Sequence, residues 1–176
     1  MTRNQLASAI FERSHLTGNF VLRSGANATE YFDKYRFEAD PELLAEICEA
    51  LAALVPPDTE MLAGLELGGV PLAVVLGQIT GLPVLFVRKE AKTYGTERLA
   101  EGGEIAGKRL LVVEDVVTSG GQVVLSTKDL RGLGAIIDSA ICVIDREAGG
   151  GDALAEEGVA LAALYTMDEL KRARRG

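Results

Sequence analysis

Short apolar runs alternate with amphipathic segments along this 176-residue chain, and that alternation predicts an α/β fold. Strands are expected at residues 61–64, 83–87, 109–113, 136–144 and 160–165. Leu6, Ala7, Ile10 and Phe11 recur at helical spacing within Arg3–Ser14. Asp40-Pro41 places a cap and a first-turn proline before Leu43, Leu44, Ile47, Leu51 and Leu54. Further helices are expected near residues 71–79, 122–133 and 167–174. Leu110 to Val113 is apolar on both faces, as a parallel strand covered on both sides should be. With no internal repeat and no low-complexity linker, residues 1–176 read as one domain, large enough to bury a core.

Chemistry enters at the exits of these strands. Residues 110–122 read L-L-V-V-E-D-V-V-T-S-G-G-Q: an apolar strand, two adjacent carboxylates at its carboxyl end, then a turn that opens a helix. Ligands of open α/β sheets bind at that edge. Thr118, Ser119 and Gln122 offer hydrogen bonds, Gly120 and Gly121 allow close backbone approach, and the free N–H groups of a helix start favour an anion. Glu114 and Asp115 would repel a bare phosphate but suit the vicinal hydroxyls of a ribose, so the residues describe a ribose-phosphate cradle. The bland alternative is a helix-capping turn with no ligand.

The 20 glycines gather mostly at such exits. In G-L-E-L-G-G-V-P, residues 64–71, paired Gly68 and Gly69 precede a proline suited to a first helical turn, and their amides could hold pyrophosphate; a plain strand-to-helix turn is the alternative. Residues 88–98, R-K-E-A-K-T-Y-G-T-E-R, form a long polar loop bounded by Gly102-Gly103. Arg88, Lys89 and Lys92 cannot settle against an apolar core without anions, so they are either solvated or face a multiply charged ligand. The loop's position between two core strands, beside the cradle, favours the ligand and a mobile lid.

The 110–122 run resembles the ribose-phosphate signature of the type I phosphoribosyltransferases, which use phosphoribosyl pyrophosphate as donor. Arg-Lys-x-x-Lys at residues 88–92 resembles the catalytic loop of the orotate phosphoribosyltransferases. So do Phe20 to Gly25 followed by Tyr31-Phe32-Asp33, similar to that family's N-terminal hood, and Asp145-Arg146-Glu147-Ala148-Gly149-Gly150, similar to its Asp-Arg-x-x-Gly-Gly element. The resemblance covers the chain from about Phe20 to Gly150. It implies a mainly parallel central sheet flanked by helices, with a small hood formed mainly by about residues 1–40. It also implies a magnesium-dependent transfer of the phosphoribosyl group to orotate, giving orotidine monophosphate and pyrophosphate in pyrimidine biosynthesis.

By residue, the resemblance gives Arg88, Lys89 and Lys92 the leaving group, and Glu114, Asp115, Thr118, Ser119, Gly120, Gly121, Gln122, Gly68, Gly69 and Tyr94 the donor. Arg23, Tyr31, Phe32, Thr118 and Arg146 would meet orotate, Arg146 through the planar fork that suits a carboxylate. Magnesium would be held mainly by the donor, with no direct protein ligand. The lid at residues 88–98 would close over the neighbouring subunit of a homodimer. The sequence departs from the family at three places: Arg23 stands where many members have lysine, Gly68 where many have lysine, and Tyr94 where many have histidine. The last puts a histidine proton relay in doubt, since a phenol titrates near pH ~10.

Net charge of −8 argues against a duplex nucleic-acid partner. The lack of a signal-like N-terminus or a membrane-length apolar run points to a cytoplasmic protein with no membrane partner. Cys48 and Cys142 have neither metal-ligand nor redox spacing. Residues 102–109 nearly spell a nucleotide-binding P-loop, but Arg109 replaces the metal-binding hydroxyl and the run precedes a strand, so it reads as a turn. His15, the single histidine, falls at a helix end and reads as structural. Two other functions share the cradle: a regulator that senses the donor without catalysis, which would need a basic nucleic-acid surface, and a purine phosphoribosyltransferase, which leaves the lid and the Asp-Arg-x-x-Gly-Gly element unexplained together.

Overall fold

In the computed structural model of the chain, the residues described are 1–22, 24–90 and 99–174. A six-stranded sheet runs in the order β5(Ala100–Glu101), β4(Val84–Val87), β3(Met61–Leu65), β6(Arg109–Val117), β7(Ile136–Asp145), β8(Ala160–Thr166). Every pairing is parallel except the short antiparallel β4–β5 contact. This is the expected mainly parallel α/β architecture. A separate antiparallel hairpin, β1(His15–Val21) with β2(Asn27–Phe32), lies between α1(Arg3–Ser14) and the short α2(Tyr35–Glu38).

Two apolar clusters cover the sheet. Leu111 and Val113 of β6 pack with α1, α3(Pro41–Ala52), α4(Gly69–Thr80) and α7(Met167–Ala173) on one face. Leu110, Val112 and Val117 pack with α5(Gly121–Gly132) and α6(Gly150–Glu156) on the other. The alternation from Leu110 to Val113 follows from the two-residue period of a strand. The helix starts follow their sequence signals. Asp40 accepts from the Leu43 amide ahead of the first-turn proline, and Thr2 and Thr166 make capping boxes with Gln5 and Glu169.

Register brings the strand exits to one edge. Leu65 pairs with Val87, Gly64 with Val113, and Val117 with Asp145. The loops after β3, β4, β6 and β7 therefore open side by side. Cys48 and Cys142 are buried free thiols, and burial pushes Cys48 up to about 12. Residues 102–107 turn into β6 and start no helix.

Candidate active site

The β6 strand is longer than the apolar run suggests. It continues through Val117, because Val116 and Val117 still pair with Ile144 and Asp145 of β7. Glu114 and Asp115 were expected beyond the strand end; they lie inside it, 9% and 0% exposed. The chain leaves the sheet only at Thr118 and Ser119, both exposed. Gly120 then turns with φ +75 and starts α5 at Gly121. Glycine is required there, since a Cβ would also come within 2.7 Å of Leu154 Cδ1 and 3.0 Å of the Gly150 carbonyl oxygen. Glu114 and residues 116–123 enclose a cavity of about 180 Å³ in front of the first helical amides. The structure thus gathers Glu114, Thr118, Ser119, Gly120, Gly121 and Gln122 around one small space.

Asp115 leaves the strand on the opposite face, and its surroundings differ. Its Oδ1 accepts from the Val116 amide at 2.5 Å and its Oδ2 meets Lys34 Nζ at 2.6 Å. Glu114 curls back, so that its Oε1 accepts from the Asp115 amide at 2.9 Å. Glu38 completes a cluster of three buried carboxyl groups. Burial first, and the neighbouring Asp115 second, push Glu38 up to about 9. Burial and Asp115 likewise raise Glu114 well above the ordinary carboxylate range. For Asp115 burial works in the same upward direction, but hydrogen bonds with Glu114, Glu38 and Lys34 outweigh it and hold the group low. At neutral pH, Asp115 is the member of the trio that carries charge.

The turn after β3 packs directly on this cluster. The Glu66–Leu67 peptide is cis. A Cβ on Gly68 would fall 1.7 Å from Asp115 Oδ2 and 2.8 Å from Glu38 Oε1, and one on Gly69 would fall 2.2 Å from the Val113 carbonyl oxygen. No side chain fits at either position with its neighbours where they are, which accounts physically for glycine at position 68. Glu66 ties this turn to the next loop: its amide donates to Val87 O, and its Oε1 accepts from the Lys89 amide at 2.6 Å. Arg88 is half-buried and Lys89 exposed at the start of that loop. Arg23, Lys92 and Tyr94 lie outside the described residues.

The hood hairpin faces the loop after β7. Tyr31, Phe32, Asp33, Lys34, Tyr35, Val116, Thr118 and Arg146 line a cavity of about 420 Å³. The Arg146 amide donates to Val117 O at 2.9 Å, which fixes this loop beside the cradle. Asp145 accepts from the Glu147 amide at 2.8 Å. Phe20 backs Tyr31, their ring centroids 5.5 Å apart. His15 stacks on Phe11 and sits 3.4 Å from Glu30, at the end of α1 as its sequence position implies.

Lys34, Glu38 and Glu66 escaped the sequence reading. Tyr31-Phe32-Asp33 drew attention to the aromatic pair, yet the next residue supplies the partner of Asp115. The four-residue spacing of Lys34 and Glu38 on one helical turn was the available signal, since such residues share a face.

No family model matches the chain. Individual proteins do. Orotate phosphoribosyltransferase of Nocardioides sp. is 50% identical over 169 residues, covering 96% of this chain and 94% of that protein. Orotate phosphoribosyltransferase of Methanocella arvoryzae is 43% identical over 153 residues, covering 87% of each. Among solved structures, Mycobacterium tuberculosis orotate phosphoribosyltransferase in complex with phosphoribosyl pyrophosphate superposes with a TM-score of 0.82 at 27% identity, covering 96% of this chain and 98% of that one.

Proposed function

This chain belongs to the orotate phosphoribosyltransferases, and from that premise we propose that it transfers the phosphoribosyl group of phosphoribosyl pyrophosphate to a ring nitrogen of orotate, in the pyrimidine pathway that leads to UMP. The products are orotidine monophosphate and pyrophosphate. The observation that carries this reading is the joining of two half-sites: the Arg146 loop is bonded to Val117 at the lip of the cradle, so acceptor and donor pockets share a wall.

In this assignment the amides and hydroxyls of residues 118–122 hold the donor's 5′-phosphate, and Glu114, on the wall of the same cavity, accepts from its ribose hydroxyls. Asp115, buried beside it on the other face of β6, is given the same role by the resemblance. Gly68 and Gly69 bring backbone close to the diphosphate. Arg88, Lys89 and Lys92 stabilise the charge that develops on it as it leaves, and Tyr94 donates a hydrogen bond. Arg146, with Arg23, Tyr31, Phe32 and Thr118, orients orotate. The anomeric carbon passes through an oxocarbenium-like state without a covalent enzyme intermediate, so catalysis comes from positioning and preorganised charge.

Magnesium fits this scheme as part of the donor. Among the described residues no group of three or more His, Cys, Asp and Glu side chains is arranged to hold a metal. The metal would neutralise the diphosphate. The proposal extends to a homodimer in which residues 88–98 act on the neighbouring subunit, and to a cytoplasmic setting. No helix among the described residues is long and apolar enough to cross a membrane.

Mixing the purified protein with magnesium, donor and either orotate, adenine or hypoxanthine tests the assignment. Orotidine monophosphate should form with orotate and no nucleotide with the purines. Product from a purine alone would reassign the acceptor, and donor binding without any product would leave a sensor.

A further inference from the structure

We propose that Lys34 is a positioning residue of the donor site: its ammonium holds the Asp115 carboxylate against the Gly68 backbone, in the orientation from which Asp115 accepts from the donor's ribose hydroxyls. The inference rests on the assignment of Asp115 to the ribose made above. Lys34 Nζ lies 2.6 Å from Asp115 Oδ2, and the lysine is 34% exposed on the acceptor-side cavity while Asp115 is fully buried. Its side chain therefore runs from the acceptor-side cavity to the buried carboxylate of Asp115.

Local structure aims the lysine. Asp33 Oδ1 accepts from the Tyr35 amide at 3.2 Å, which closes the turn out of the hairpin, and Lys34 caps α2. Lys34 and Glu38 then stand one helical turn apart and converge on one carboxylate. The ammonium also lies 5.3 Å from the Tyr35 ring centroid, a second restraint on its path. On the far side of Asp115 stands Gly68, where any side chain would collide with Oδ2. The carboxylate is thus clamped between a cation and bare backbone.

Charge counting explains why a cation is needed. The titratable groups facing Asp115 are Lys34 and Glu38 from the hood side, Glu114 beside it on β6, and Cys142 on β7; Asp33 faces Glu38, and Tyr35 faces Lys34. One ammonium stands among several acids. Burial opposes the charge of Lys34, but its hydrogen bond to Asp115 and attraction to Asp115 and Glu114 keep it raised. Without that ammonium, a buried carboxylate beside two other carboxyl groups takes up a proton, and one of its oxygens turns from a charged acceptor into a donor.

Titration calorimetry with magnesium phosphoribosyl pyrophosphate on the Lys34→Met and Lys34→Arg variants tests this. Lys34→Met is expected to weaken donor binding about tenfold or more near about pH 6 and less near about pH 8, since loss of one charged hydrogen bond has roughly that effect. Lys34→Arg should recover most of it, and the KM for orotate should change less than the donor affinity. The idea is overturned by an equal donor defect at both pH values, by no advantage of arginine over methionine, or by a defect confined to orotate. If Lys34→Met fails to fold, the wild-type protein still decides: the carbon-13 shift of the Asp115 carboxyl should stay at its ionised value from about pH 5 to about pH 8, and protonation within that range contradicts the proposal. Failure of the wild type to make orotidine monophosphate would sink the family assignment, while the donor titration and the carbon shift, which need no turnover, would still judge Lys34.

Discussion

The two halves of the site are built from different materials. The donor half is made of strand exits, glycine backbone and buried charge: Asp115 is fully enclosed, and Gly68 and Gly69 leave no space for a Cβ. The acceptor half is made of side chains on a two-stranded hairpin and one loop, with Tyr31 45% exposed and Arg146 also exposed. A sugar diphosphate carries several charges in a fixed arrangement, and backbone amides in a rigid frame meet it without side-chain ordering cost. A planar base needs a stacking face and one charged fork, which a small mobile element can supply. Substitutions at the buried positions of the donor half should accordingly cost turnover and stability together, whereas those at exposed positions, including the acceptor half, should spare stability.

The largest separation is expected at Lys89. Lys89→Ala should lower kcat about a hundred- to a thousandfold, the usual effect of removing one preorganised donor, while the KM for orotate moves little. Lys89 is exposed, so melting temperature should be unchanged. Steady-state kinetics with both substrates varied decides it; an equal weakening of orotate would show that the lysine serves ground-state binding. Next in size is Gly68→Ala. The added methyl overlaps Asp115 Oδ2, and displacing that carboxylate from Lys34 breaks a buried pair, at a cost of about 3–5 kcal/mol. Donor affinity should fall roughly a hundredfold and the thermal midpoint should drop with it. A variant as stable as wild type would mean that the turn yields where the contact distances say it cannot.

That contrast also governs what could be read from the chain. The sheet strands and the cradle were legible because period, glycine and hydroxyl residues are local signals: the 110–122 run names its own chemistry. Even there the strand end was misplaced, since pairing with β7 carries β6 past two carboxylates that look like a loop. The hood hairpin was visible only as a resemblance, because β1 and β2 are largely exposed and show no clean alternation. Lys34 and Asp115 lie some eighty residues apart, and nothing local in either segment announces a contact that only the folded topology creates.

Arg146→Leu should be the main acceptor-side effect. Loss of one charged hydrogen bond, about 1.5–3 kcal/mol, predicts a roughly ten- to hundredfold rise in the KM for orotate with donor affinity retained. Because Arg146 is exposed, unfolding should be unaffected. Competition between orotate and uracil measures the selectivity directly. If the variant prefers orotate as strongly as the wild type, another cation reads the carboxylate.

The buried carboxyl cluster ties donor-half stability to pH. Glu38 holds its proton up to about 9 in the folded protein, against an ordinary glutamate value near ~4.3 when unfolded. Its favourable term is complete below the unfolded value and is lost as pH rises through the folded one. Glu114, also raised, acts with the same sign. Asp115, held low, acts oppositely, and its contribution is lost only as pH falls below the ordinary aspartate range. Stability should therefore decline from about pH 5 to about pH 8, by at most about 1.4 kcal/mol per unit for each such group. Glu38→Gln removes one of these titrations and should flatten the decline by up to about 1.4 kcal/mol per pH unit across that span. Urea unfolding at several pH values measures it, and an unchanged slope would place the titration elsewhere.

The smallest effect is expected at the hood ring. Tyr31 packs tilted against Phe20, ring centroids 5.5 Å apart, and lines the cavity that holds Arg146 while remaining partly exposed. Replacing it by leucine keeps apolar bulk but removes a flat face, a change of about 0.5–1.5 kcal/mol, or roughly two- to tenfold in the KM for orotate. Tyr31→Phe keeps the face and should behave as wild type, which separates stacking from any role of the hydroxyl. Neither variant touches the strand exits, so donor affinity and melting temperature should stay fixed. A donor defect in Tyr31→Leu would mean that the hairpin reaches the cradle through Lys34, three residues further along the same chain, and that the two halves respond as one.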